Sequence, residues 1–296
     1  MPRWQSSSWS EPARRIALVL QYWGPAFHGW QRQCNAPSVQ AELEHAITAL
    51  EPPGTTVRSC AAGRTDRGVH AAGQVAHFDS CGSIPGHRWA AALNGRLPHT
   101  IRVLASRELP GHWHACHSAV YRRYRYTIYN GCQPNLFLAP LSWHRYRTLL
   151  DAELMASCLR ELHGHHELDA FQKAGSGRPD GWTTVRDTVV QRQGDLLVIE
   201  VECSGFLYGM MRLLVGQLVA LGEGVISADD FRRCWRERRR DDVKEAAPPQ
   251  GLCLLRVGYR TELFERCAWY DCLPWLRLVV PNPPAHQARF GRRCSP

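Results

Sequence analysis

The sequence predicts an α+β protein, and three observations carry that prediction. Short apolar runs of strand length alternate with amphipathic segments of helical period. Gly, Pro, Ser and Asn clusters separate them. The first hundred or so residues follow the order strand, helix, strand, strand, helix, strand, which matches one ferredoxin-like α+β lobe. At 296 residues the chain has length for one large domain or two lobes, with ample core either way. No run approaches the roughly 20 apolar residues of a membrane helix. The longest candidate, Met210 to Leu221, is interrupted by Arg212, Gly216 and Gln217. The first fifteen residues hold Arg3, Arg14 and Arg15 but no apolar signal core, so cytoplasmic residence is expected.

Taken in order, Ile16 to Tyr22 is an apolar run consistent with a buried strand. Trp23-Gly24-Pro25 breaks it, and Phe27-His28-Gly29-Trp30-Gln31-Arg32-Gln33 follows. Aromatics interleaved with Gln and Arg suit stacking on bases and binding phosphate, and suit a wet aromatic cluster at a lobe edge equally well. Ser38 caps a helix on which Val39, Leu43, Ala46, Ile47 and Leu50 share a face, with Glu42 and Glu44 near its positive end. Pro52-Pro53-Gly54 ends it. Val57 to Cys60 and Gln74 to Phe78 read as strands, Trp89 to Leu93 as a short helix, and Ile101 to Leu104 as a strand.

In the second half, Tyr124, Tyr126 and Ile128 alternate with Arg123, Arg125 and Thr127, a half-buried strand over Tyr121 to Tyr129 with a basic face. Ala152 to Leu162 is a helix with Leu154, Met155, Cys158, Leu159 and Leu162 on one side. His163-Gly164-His165-His166-Glu167 has the composition of a metal site, but its histidines are too close together for one helical face. Ala174 to Trp182 is a Gly/Ser/Pro-rich loop, expected to be mobile. Strands follow at Asp187 to Gln191 and Leu196 to Cys203, then an apolar helix from Phe206 to Gly216. Arg212 within that helix either snorkels to the surface or is paired, because a buried guanidinium is costly alone. Asp229 to Arg240 is an arginine-rich helix whose default reading is a solvated face. The twelve cysteines include no Cys-x-x-Cys, the nearest two being Cys267 and Cys272, so reduced and mostly buried thiols are expected.

The most informative run is Ala62 to Phe78. Gly63 and Gly68 bracket Arg64, Thr65 and Asp66, letting the backbone turn tightly and a ligand come close. Asp66 lies between Arg64 and Arg67, and nearby positive charge keeps a carboxylate ionised. Such a group can serve as nucleophile, base or electrostatic stabiliser, or simply form an Asx turn. The formal net charge of +9 favours a polyanionic partner, with RNA, DNA, an anionic membrane and plain solubility all compatible. The chain has no P-loop, no dinucleotide glycine fingerprint and no metal-ligand spacing.

Gly63-Arg64-Thr65-Asp66-x-Gly68-Val69-His70-Ala71, followed by Gly73-Gln74-Val75-x-His77-Phe78, closely resembles the catalytic segment of the TruA family of tRNA pseudouridine synthases. The resemblance continues through Phe27-x-Gly29-Trp30-Gln31-x-Gln33, Asn94-x-x-Leu97-Pro98, the Arg-x-Tyr-x-Tyr strand at Tyr124 and Tyr126, Gly164 with His166 and Phe171, Thr184-x-Arg186, Phe206-Leu207 with Arg212, and Ala247-Pro248-x-x-Gly251-Leu252-x-Leu254. It covers about Ile16 to Tyr259. Departures are Trp23 for an acidic residue, Cys116 for an arginine after His114-Ala115, Glu167 and Leu168, and Met211 for a valine.

The resemblance implies two ferredoxin-like lobes related by a pseudo-two-fold, their largely antiparallel sheets forming one continuous mixed sheet around an RNA-binding cleft. The corresponding boundaries are a lead at 1–14, lobes at 15–112 and 113–262, and a partly disordered tail at 263–296. It implies conversion of uridine to pseudouridine at tRNA positions 38, 39 and 40, without cofactor or metal, by a homodimer with the anticodon stem-loop lying across both protomers. Asp66 is then the catalytic residue, Arg212 its partner, Tyr124 the ring under the target uracil, and Arg64 the group that fills the space of the extruded base. Thr65, Gly68, Val69, His70, Gln74, Trp30, Gln31, Arg32 and Phe206 complete the substrate-binding set. Two rival readings are a non-catalytic RNA-binding module and a zinc hydrolase built on His163, His165, His166 and some of the cysteines.

Overall fold

The computed structural model describes residues 13–175 and 180–264. The N-terminal lead, the centre of the Ala174–Trp182 loop and almost all of the tail lie outside them, with the expectations placed there. The described residues form a mixed α+β fold with one large, mostly antiparallel sheet of ten strands. The chain divides into two compact units, residues 13–120 with 257–264, and residues 121–256.

In the first unit, β1 (Arg14–Tyr22) lies between the strands β3 (His70–Ser80) and β4 (Ile101–Leu109), antiparallel to both. A central strand is covered on both faces, which is why Ile16 to Leu20 is an unbroken apolar run and fully buried. The helices are α1 (Val39–Thr48) and α2 (Trp89–Asn94). Ser38 caps α1 as expected, its side chain accepting from the Ala41 N–H, while Val39, Leu43, Ala46 and Ile47 face inward. Asn94 ties α2 to β4 by donating to the Val103 carbonyl and accepting from the Val103 N–H, each at 2.8 Å.

The strand expected at Val57 to Cys60 shrinks to β2 (Cys60–Ala61), paired with β3. The cause is Glu44, a buried carboxylate on α1. It accepts from the Ser59 N–H at 2.7 Å and the Ser59 hydroxyl at 3.1 Å, while Gln40 donates to the Ser59 carbonyl at 3.1 Å. Those backbone groups are satisfied by helix side chains, so no ladder forms there.

In the second unit the strand order is β5 (Ala119–Tyr129), β9 (Leu196–Cys203), β8 (Trp182–Gln193), β7 (Gly164–Glu167), with β6 (Trp143–His144) parallel to the end of β5. The last strand in chain order is β10 (Leu252–Tyr259). Tyr124, Tyr126 and Ile128 are buried, as their alternation requires. The opposite face of β5 is not a free basic surface. Arg123 binds Glu200 at 2.7 Å and Asp187 at 2.8 Å, and Arg125 binds Glu200 through Nε at 2.7 Å. Cross-strand carboxylates on β8 and β9 neutralise it.

Helix α3 (Ala152–Arg160) buries Met155, Cys158 and Leu159. Helix α4 (Met210–Gly222) begins four residues later than the apolar pattern suggests, because Gly209 ahead of it is left-handed at φ +71 and leaves Phe206 to Tyr208 outside. Helix α5 (Ala228–Arg236) stops four residues short of Arg240, with Arg238 at φ +57. Its arginines engage acids, as does Arg238 beyond its end: Arg232 binds Glu161 and Asp229, Arg233 binds Asp230, and Arg238 binds Asp169 and Glu167. No helix among the described residues is long and apolar enough to cross a membrane.

Gly216 is where the 245–247 segment meets α4. A Cβ at this position would lie 2.0 Å from the Glu245 carbonyl oxygen, and backbone cannot yield cheaply. Gly216→Ala is therefore expected to destabilise the fold by about 3 kcal/mol, read as a lowered midpoint in urea with an unchanged slope.

The expectation of mostly buried thiols holds for only part of the set. Cys158, Cys203, Cys234 and Cys253 are buried, whereas Cys34, Cys60, Cys81 and Cys132 are exposed and Cys116 is half-buried. Helical period places Cys158 on the inner side of α3, whereas Cys60, within the expected Val57–Cys60 strand, is exposed on β2.

Candidate active site

The Asp66 loop is fixed from several directions within the first unit. Val69 N–H returns to the Asp66 carbonyl at 3.1 Å, closing a tight turn over Arg67 and Gly68. The Phe27–Trp30 segment lies against it: Trp30 N–H donates to the Thr65 carbonyl at 3.1 Å, and Gly68 N–H donates to the Phe27 carbonyl at 3.2 Å. Gln74 donates to the Gly63 carbonyl at 2.7 Å, and the Tyr22 and Thr65 hydroxyls meet at 2.8 Å. His70 accepts the Gly24 N–H at Nδ1, at 3.2 Å, with the Trp23 ring edge-on against it. Trp23 thus buttresses a histidine.

The sequence-predicted residues of this unit separate into two groups. Arg64, Gln31 and Arg32 are exposed, and Asp66 and Gly68 are half-buried. Arg32 also pairs with Glu44 at 2.6 Å. Trp30, Thr65, Val69, His70 and Gln74 are buried, Trp30 packing near the Tyr22 ring. These five hold the loop from beneath. Tyr22 and Gly29 belong to the same construction and did not stand out in the sequence as site residues, because an apolar strand hides the one and a short motif contains the other.

In the second unit, Tyr124 packs edge-on against Phe206 with ring centroids 4.7 Å apart. The Phe206 loop is pinned to β8: Ser204 and Thr184 exchange two hydrogen bonds, and Thr183 donates to the Gly205 carbonyl. Arg122 donates to the Ser204 carbonyl at 2.9 Å. Arg212, half-buried on α4, donates from Nε to the Ala247 carbonyl at 2.6 Å, and Ala247 N–H returns to the Arg212 carbonyl at 2.9 Å. The Nε end of the guanidinium is thereby anchored to the 245–247 segment.

A family model described as tRNA pseudouridine synthase matches residues 18–117 and 158–260. The two matched segments contain Asp66 and Arg212, and Tyr124 lies in the interval between them. The "tRNA pseudouridine synthase A" of Prochlorococcus marinus (strain MIT 9303) is 59% identical over 275 residues, 93% of each chain. The protein of the same description from Synechococcus sp. (strain CC9902) is 57% identical over 279 residues, 94% of this chain and 93% of the relative. That from Nostoc sp. (strain PCC 7120 / SAG 25.82 / UTEX 2576) is 51% identical over 263 residues, 89% of this chain and 93% of the relative. This chain belongs to the TruA family of tRNA pseudouridine synthases.

TruA enzymes are isomerases, and the histidine cluster is not assembled as a metal site. His163, His165 and His166 engage separate partners: Thr188 at 2.8 Å, Thr184 at 3.0 Å and the His163 carbonyl at 3.0 Å. Another group, Cys60, His77 and His114, brings its ligand atoms within 4.8 Å of one another. Its chemistry is wrong for an ion. His77 Nδ1 accepts the Ala115 N–H at 3.2 Å, and His114 Nδ1 accepts the Cys116 and His117 N–H groups at 3.1 and 3.2 Å. A neutral imidazole accepting at Nδ1 carries its hydrogen on Nε2, which cannot then ligate.

His77 has a consequence for stability instead. Burial, then the neighbouring His114 and Arg15, push it down from 6.5 to about 4. The unfolded chain binds this proton more readily than the fold, so stability is full above pH 6.5 and is lost as pH falls toward 4. Urea midpoints of the wild type are expected to drop across that window, and His77→Asn, which keeps an acceptor for Ala115, is expected to flatten the drop.

Proposed function

We propose that this chain converts uridines 38, 39 and 40 of the tRNA anticodon stem-loop to pseudouridine. The observation that carries the reading is the carboxylate of Asp66 on a loop braced by two strands and the Phe27–Trp30 segment, in a TruA-family chain. The N1–C1′ bond breaks, the uracil turns, C5 bonds to C1′, the C5 proton departs and N1 takes a proton. The atoms balance without a redox partner or energy source. Asp66 either attacks C1′ or removes the sugar proton whose loss gives a glycal.

The family resemblance makes Arg212, held at Nε by the Ala247 carbonyl, the partner of Asp66. Tyr124, oriented by Phe206, stacks on the uracil, worth about 1–3 kcal/mol. Arg64 fills the space of the extruded base. Cys116 stands where the family has an arginine, Arg122 donates to the Ser204 carbonyl and Arg123 is committed to Glu200 and Asp187, so extrusion rests on Arg64. Gln31, Arg32 and Gly68 meet the RNA backbone, while Trp30, Thr65, Val69, His70 and Gln74 act through the loop. Two lobes flank the RNA, which spans both protomers of a homodimer in the cytoplasm.

Anticodon stem-loop tRNAs with a single uridine at 38, 39 or 40 test the assignment, with pseudouridine mapped after carbodiimide modification. Product at all three positions and none at uridines elsewhere is expected. Product at another position alone would overturn it.

A further inference from the structure

We infer that Tyr22, Thr65 and Gln74 form a buried hydrogen-bonded strut that sets the position of the Asp66 carboxylate, making Tyr22 and Gln74 positioning residues for the isomerisation. The inference rests on Asp66 being the reacting carboxylate. Tyr22 ends β1 and Gln74 sits within β3, two strands paired along nearly their whole length. The register shifts between Leu20, opposite Gln74, and Tyr22, opposite Ala71. Such an irregularity re-aims a side chain, and here the Tyr22 hydroxyl reaches Thr65 at 2.8 Å. The Gly63 carbonyl can only accept, so the Gln74 atom 2.7 Å from it is the amide nitrogen. That same nitrogen lies 3.4 Å from the Tyr22 hydroxyl.

The strut grips the loop at Gly63 and Thr65, on either side of Arg64 and directly before Asp66. All three side chains are buried, with relative exposures of 4% for Tyr22, 7% for Thr65 and 0% for Gln74. The Gln74 carbonyl oxygen is buried without a hydrogen-bond partner in the structure. A polar group in that condition lowers stability and offsets part of what the amide gains at the Gly63 carbonyl. Stability alone therefore does not account for Gln74. A requirement for geometry does, since displacing a reacting group by about 1 Å costs on the order of 100-fold in rate.

The test compares tritium release from C5-labelled tRNA by wild type, Tyr22→Phe, Thr65→Val, Thr65→Ser, Gln74→Met and the Tyr22→Phe/Thr65→Val pair, with Asp66→Ala in the same assay. Tyr22→Phe, Thr65→Val and Gln74→Met are each expected to lower kcat by about 10–100-fold, with KM within twofold. Thr65→Ser, which keeps the hydroxyl, is expected to stay within about threefold of wild type. The double variant is expected to be no slower than the slower single one, because both remove one bond. Unchanged kcat in Tyr22→Phe and Thr65→Val, additive losses, or a raised KM at constant kcat would overturn the strut. Turnover by Asp66→Ala would overturn the catalytic assignment instead. Melting curves and tRNA binding separate misfolding from misplacement, and the Thr65→Ser/Thr65→Val contrast decides the matter should Tyr22→Phe fail to fold.

Discussion

Asp66→Ala is expected to eliminate tritium release from C5-labelled tRNA, by at least about 1,000-fold, while tRNA affinity stays within about threefold. The two halves of that result have separate causes. Turnover needs a group that attacks C1′ or takes a proton, and alanine does neither. Affinity comes mainly from phosphate contacts with arginine and lysine, which positions the RNA without reference to the reacting base. Removing a negative charge from between Arg64 and Arg67 does not weaken attraction for a polyanion. Asp66→Asn is the sharper variant, since it keeps the shape and an acceptor oxygen and loses only the ionised carboxylate. Single-turnover release and filter binding on the same preparations read both quantities. Turnover in either variant would move the chemistry to another side chain.

The fold was legible where one physical signal dominated. Ile16 to Leu20 reads as a buried strand because it is apolar throughout, and Ser38 announces α1 because its hydroxyl caps Ala41. The errors fall where side chains or single backbone angles override local pattern. Local pattern makes Ser59 a strand residue, but Glu44 fifteen residues earlier takes its N–H. Phe206 to Tyr208 continue the apolar pattern of α4, yet the left-handed Gly209 excludes them from the helix. The site was legible as a motif and not as a mechanism of support. The resemblance implies substrate binding by Thr65 and Gln74, and the structure adds their bonds to Tyr22 and Gly63 inside the first unit.

Charge shows the same division. The excess of 36 basic over 27 acidic side chains points toward a polyanion, but it does not say which arginines meet one. On β5 and α5 the richest arginine runs are matched by Glu200, Asp187, Glu161, Asp169 and Asp230. Their periodicity suits a basic face, and their partners come from strands and loops distant in sequence. Exposed Arg64 and Arg67, flanking Asp66, are thus more informative about RNA than the longer runs.

Gly29→Ala is expected to lower kcat by roughly 100-fold, and Gly54→Ala to leave it unchanged, although both glycines have nearly the same backbone angle. Gly29 lies at φ +93 and Gly54 at φ +86, a region that costs other residues about 1–3 kcal/mol. Their surroundings differ. A Cβ at Gly29 would sit 2.5 Å from the Thr65 carbonyl oxygen and 3.1 Å from the Asp66 carbonyl carbon, whereas a Cβ at Gly54 meets nothing within 4 Å. Both variants lose stability through backbone strain, so thermal melts fall for each. In Gly29→Ala alone the methyl group pushes on the peptide that carries Asp66 and on the carbonyl that receives the Trp30 N–H. The pair separates strain from displacement, because only displacement reaches the carboxylate. If Gly29→Ala turned over like Gly54→Ala, the loop would be absorbing the collision without moving Asp66, and the close approach of Gly29 would serve packing alone.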